Sequence, residues 1–74
     1  MDKPNYDAEV AALIAEAIAA DPNETKNSVA TKTLIPHSTL ERKLQAGGFK
    51  VSEAARIARV LGVHPATFVP EWVA

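Results

Sequence analysis

Apolar side chains recur at intervals of three and four residues along this chain, and no stretch alternates apolar with polar as a half-buried strand does. Over 6–20, YDAEVAALIAEAIAA, the residues Tyr6, Val10, Leu13, Ile14, Ala17 and Ile18 share one helical face. The opposite face is alanine with Glu9 and Glu16, and alanine is the best helix former. Asn5 is the expected N-cap, and Asp21-Pro22-Asn23 the expected stop. A second helix is predicted over 26–33, capped by Thr25, with Val29, Ala30 and Thr33 inward. Its threonines and asparagine are poor helix formers, so packing must hold it. Ile35 before Pro36 suits an extended turn.

The third predicted helix, 37–46, is HSTLERKLQA. Leu40 and Leu44 mark one side; Ser38, Glu41, Arg42 and Gln45 fall on the other. Pro36 fits its cap or first turn, while Ser38 and Glu41 offer an alternative start at capping-box spacing. Gly47-Gly48 ends it. A fourth helix, 51–61, is expected to turn Val51, Ala54, Ile57, Ala58 and Leu61 inward, with Ser52, Arg56 and Arg59 outward. Pro65 opens a short fifth helix, 65–69, whose Phe68 reaches the core, and the tail PEWVA follows at 70–74. The expected fold is one all-α, five-helix domain over 1–74.

Composition narrows the function. A chain of 74 residues holds one domain of modest stability. There is no cysteine, hence no disulfide framework or thiolate metal site. No apolar run is long enough to span a bilayer, and the first residues lack the order of a secretory signal, so a soluble cytoplasmic protein is expected. The net charge of −1 hides a strong asymmetry. Residues 1–24 carry six acids against Lys3, whereas 25–59 carry seven cations against Glu41 and Glu53. An acidic start and a basic middle suit a polyanion partner; solvated faces on a dipolar protein are the plainer explanation.

Two short helices joined by a tight turn, the second anchored on one side and polar on the other, make a helix-turn-helix layout. The major groove of B-DNA admits one α-helix, and groups that read bases must project from it. The leucine side then holds the helix rigid while cations and helix N-termini take phosphates.

The segment 25–69, TKNSVATKTLIPHSTLERKLQAGGFKVSEAARIARVLGVHPATFV, carries a more particular pattern. Val29-Ala30, the apolar Ile35 of the turn, Ser38-Thr39-Leu40 and the closing ARIARVLGV occur in order. In these features it resembles the lambda-repressor/Cro (Xre) helix-turn-helix family, in its phage and actinobacterial form. The resemblance implies a small phage or prophage transcriptional repressor, nucleoid-associated, bound to a double-stranded DNA operator. It implies base reading by His37, Ser38 and Arg42. Beside them Glu41 is expected to accept from cytosine N4, or else to discourage wrong sequences. Thr25, Lys26, Asn27, Thr39, Lys43, Gln45 and Lys50 are the expected phosphate contacts. A phosphate contact is the rival role for Arg42, and a partly packed turn histidine the rival for His37. Leu34 stands where the family prefers glycine, so the turn is expected to open differently. Pro36 replaces a capping serine. Lys26 replaces a glutamine that would brace the reading helix.

No enzyme, cofactor, metal or small-molecule substrate is expected. His37 and His64 have no ligand-spaced partners, and no nucleophile–base arrangement can be argued. The competing function is a protein-interaction module, such as an antitoxin or phage control factor, which the acidic first helix and apolar tail would suit. Trp72 near the end of the sequence can cap its own core or pack on a second copy. A weak homodimer forming mainly on DNA, through Val69, Trp72 and Val73, is the expectation.

Overall fold

Proline and glycine punctuate this chain, and the helices stop where they stand. The computed structural model describes residues 6–69, without the Tyr6 side chain. It contains α1 (Tyr6–Ala20), α2 (Lys26–Thr33), α3 (His37–Ala46) and α4 (Val51–Leu61), and then a 3-10 turn at Pro65–Phe68. No strand occurs among the described residues, and none of their helices is long and apolar enough to cross a membrane. Asn5, the expected cap of α1, lies outside the described residues.

The expected fifth helix is corrected to that single 3-10 turn. Pro65 starts it and the His64 imidazole Nδ1 accepts the Ala66 N–H at 3.0 Å. Val69, just before Pro70, is already extended at φ −99°, ψ 117°, as a pre-proline residue prefers. Too few residues remain for an α-helical ladder. The turn closes instead with i→i+3 bonds from Thr67 N–H to the His64 carbonyl and from Val69 N–H to that of Ala66.

The core gathers one apolar strip from each helix. Val10, Ile14 and Ile18 of α1 meet Val29 and Ala30 of α2, Ile35 of the turn, Leu40 of α3, Ile57 and Ala58 of α4, and Phe68. Leu13, Ala17, Leu44, Ala54 and Leu61 pack around them half-buried. Helix α1 runs against both α3 and α4, while α2 packs on α3 and α4. Gly47 lets the end of α3 approach the first turn of α1: a Cβ there would lie 2.9 Å from the Cβ of Asp7. One inward assignment is corrected. Val51 is 84% exposed, and Glu53 is buried in the first turn of α4.

Helix α2 forms despite its composition because both ends are satisfied. Thr25 Oγ1 accepts the Ser28 N–H at 3.1 Å, and Ser28 Oγ accepts the Thr25 N–H at 2.8 Å. This is a capping box in which serine replaces the usual Glu or Gln. At the other end Arg56, exposed as expected, donates from Nη1 to the Thr33 carbonyl at 3.1 Å and so also caps α2. Leu34 then adopts the left-handed conformation, φ 64°, ψ 23°, with 84% of its surface exposed. The turn is therefore opened in the glycine-like way without a glycine.

That geometry yields a stability prediction. Leu34→Gly removes left-handed strain and little burial, but loosens the unfolded chain. The net expectation is a gain of about 0.5–1 kcal/mol. Urea unfolding of the two proteins measures it; a less stable glycine variant would show that Leu34 is not strained.

Candidate nucleic-acid interface

Helix α3 is held from one side. Leu40 is fully buried and Leu44 packs half-buried against the core. On the other side His37, Ser38, Arg42 and Gln45 are exposed, with Glu41 half-buried beside them. Thr39 is half-buried. The helix begins at Pro36 (φ −55°, ψ 140°), with no capping side chain, so the alternative start at Ser38 and Glu41 is not used. The first N–H groups of α3 are thus left pointing out of its N-terminus.

Two other helix starts flank this surface. At α2, Thr25, Lys26 and Asn27 are exposed, and Lys26 Nζ lies 3.3 Å from Glu41 Oε1. Lys26 thus reaches α3 through an exposed ion pair. At α4, Lys50 is exposed at the N-cap position. The residues expected to read bases share the outward side of α3, and most of those expected to take phosphates stand around it.

Lys43 is the exception. Its amine donates to both oxygens of Glu53, at 2.7 and 2.9 Å, and the Lys50 N–H donates to Glu53 Oε1 at 2.8 Å. Both side chains are largely buried. Burial pushes the Glu53 carboxyl up, but the hydrogen bonds from Lys43 and Lys50 and the charges of both lysines outweigh it and hold the group below 4.5. In this arrangement the Lys43 amine serves the α3–α4 junction. The sequence reading missed Glu53; its one local signal was the Lys50-to-Glu53 capping-box spacing.

A similar exchange occupies Lys32. Glu24 accepts Lys32 Nζ and Ser28 Oγ, both at 2.7 Å, and these bonds, the lysine first, lower its carboxyl pKa. Arg42, Lys50 and Arg59 have no carboxylate within 4.0 Å among the described residues. Nor do those residues contain a group of three or more side chains able to hold a metal ion. Val69 is 40% exposed, while Trp72 and Val73 lie outside the described residues.

The Glu53 junction should be visible as a function of pH. Its folded pKa is depressed, so its contribution is present above 4.5 and is lost as pH falls through the lower folded value. Lys43→Ala is expected to cost about 1–3 kcal/mol at neutral pH by leaving the carboxylate without its partner. Glu53→Gln should flatten the acid limb of the stability–pH curve, measured by urea unfolding. An unchanged acid limb would remove Glu53 as its source.

Comparison with protein-family models, curated proteins and solved structures gives no match, so the resemblance rests on this chain's own residues and their order.

Proposed function

We propose that this protein is a sequence-specific binder of double-stranded DNA, with α2, the turn and α3 acting as a helix-turn-helix and α3 lying in the major groove. A small transcriptional repressor of phage or prophage type is the function that the family resemblance implies. The observation that carries the reading is the two-sidedness of α3: buried Leu40 behind, and His37, Ser38, Arg42 and Gln45 exposed in front. A helix with side chains is about 10–12 Å across, and the major groove is about 12 Å wide. The starts of α2 and α4, with Lys26 and Lys50, suit the phosphates on either side. Arg42 is assigned to base reading, as arginine on guanine O6 and N7 is the commonest specific contact. Lys43 is given no phosphate role, because Glu53 holds it. Two copies pair on DNA to read two half-sites about one turn apart.

The exposed Leu34 and Val51 favour a second reading, a protein-interaction module built on the same helices. Selection of bound duplexes from a random library separates the two: one enriched motif supports DNA reading, and no enrichment supports the interaction module. On the selected site, Arg42→Ala should cost about 1–3 kcal/mol and relax preference at one base pair. Lys50→Ala should weaken all sequences alike and reduce the salt slope by about 0.9. If Arg42→Ala leaves the ratio of specific to scrambled binding unchanged, Arg42 does not read a base.

A further inference from the structure

Between the start of α4 and the terminal 3-10 turn lies an apolar groove of about 170 Å³. Val10, Phe49, Val51, Ala55, Phe68 and Val69 are among its lining residues. Val51 and Val69 are two of the three large hydrophobic side chains exposed among the described residues; the third, Leu34, sits at the α2–α3 turn. The exposed apolar surface is therefore concentrated on this groove, and a cover for it is physically favourable.

We propose that the groove is the seat of Trp72 from the same molecule. The described chain ends at Val69, which itself lines the groove, and Trp72 follows three residues later. Three residues reach at most about 10 Å, so the indole starts within range of the groove. Val69 is already extended and the Pro70 ring fixes its own φ near −65°, which reduces the entropy lost when the tail docks.

Size and chemistry favour this occupant over the others. An apolar cavity of roughly 150 Å³ takes one benzene, whereas pockets for separate drug-sized ligands run from about 300 to 1,000 Å³. The groove has room for a single ring system. The N-terminal segment 1–5, MDKPN, offers charges and no aromatic ring. The tail of a second copy has the same indole, but its docking costs roughly 4–15 kcal/mol of association freedom, a cost avoided within one molecule. The inference does not depend on DNA binding.

Trp72 is the only tryptophan, so fluorescence of the full chain reads its position directly. The wild type should emit to the blue of its denatured form, resist iodide quenching severalfold better, and keep both properties on dilution. Val51 and Ala55 are exposed, so the double variant Val51→Asp, Ala55→Glu puts charge into the groove without touching the core. It should retain its helical circular dichroism while emission moves red and quenching rises severalfold. Should the pair unfold, Ala55→Glu alone serves. Wild-type emission already matching the denatured chain overturns the proposal. So does emission that stays blue in the folded variant, for the indole then sits elsewhere and the N-terminal segment becomes the candidate cover. Emission that reddens on dilution assigns the groove to a second copy and overturns it equally.

Discussion

The buried carboxylate of Glu53 is where three parts of the chain meet. It belongs to α4, accepts both contacts of the Lys43 amine from α3, and takes the N–H of Lys50 from the link between them. A carboxylate removed from water is costly unless its acceptor positions are filled, and here three donor contacts fill them. The arrangement is directional in a way that leucine packing is not. Leu40 and Leu44 place α3 against the core but tolerate some rotation about its axis; the Lys43–Glu53 contact resists that rotation. The leucines thus set which side of α3 faces outward, and a residue in the next helix holds it there.

The opposite end of α3 is set by a less comfortable compromise. Ile35 must enter the core and Pro36 must start the helix, within the three residues between Thr33 and His37. Leu34 meets that requirement by going left-handed, at a cost of about 1–2 kcal/mol, with its side chain in solvent. Around it the chain compensates with polar contacts: Thr33 Oγ1 bonds to the Val29 carbonyl and Arg56 to the Thr33 carbonyl. An eight-residue helix of weak propensity is stable here because caps at both ends and a buried face act together.

The helices were legible in the sequence because their boundaries are local events. Thr25, Pro36, the Gly47-Gly48 pair and Gly62 act within one turn of where they stand, and the four α-helices begin and end as their pattern predicts. The outward side of α3 was legible for the same reason, since Leu40 and Leu44 define its back. The first turn of α4 was not. Both Val51 and Glu53 lie within reach of the inward stripe through Ile57, and residue type alone puts valine inside. The chain buries glutamate because Lys43, ten residues away in sequence, is waiting for it. Lys26 with Glu41 is likewise non-local, so the internal pairing of candidate phosphate contacts could not be read from spacing.

These pairings change how the basic middle of the chain acts. Lys43 and Glu53 both have largely buried side chains, so releasing this lysine would leave an under-satisfied carboxylate. Lys32, itself exposed, is held by Glu24 at 2.7 Å. The Lys26–Glu41 pair is different: its side chains keep 54% and 39% of their surface in solvent, and such pairs contribute about 0–1 kcal/mol. A phosphate can therefore take Lys26 from Glu41 at little cost. In the complex proposed above, Glu41 would then be free on the outward side of α3, where a carboxylate can accept from cytosine N4 or repel a misplaced phosphate. In the DNA-bound state proposed for this protein, the exposed pair is the natural point of exchange, and the buried Lys43–Glu53 pair holds α3 still while that exchange occurs.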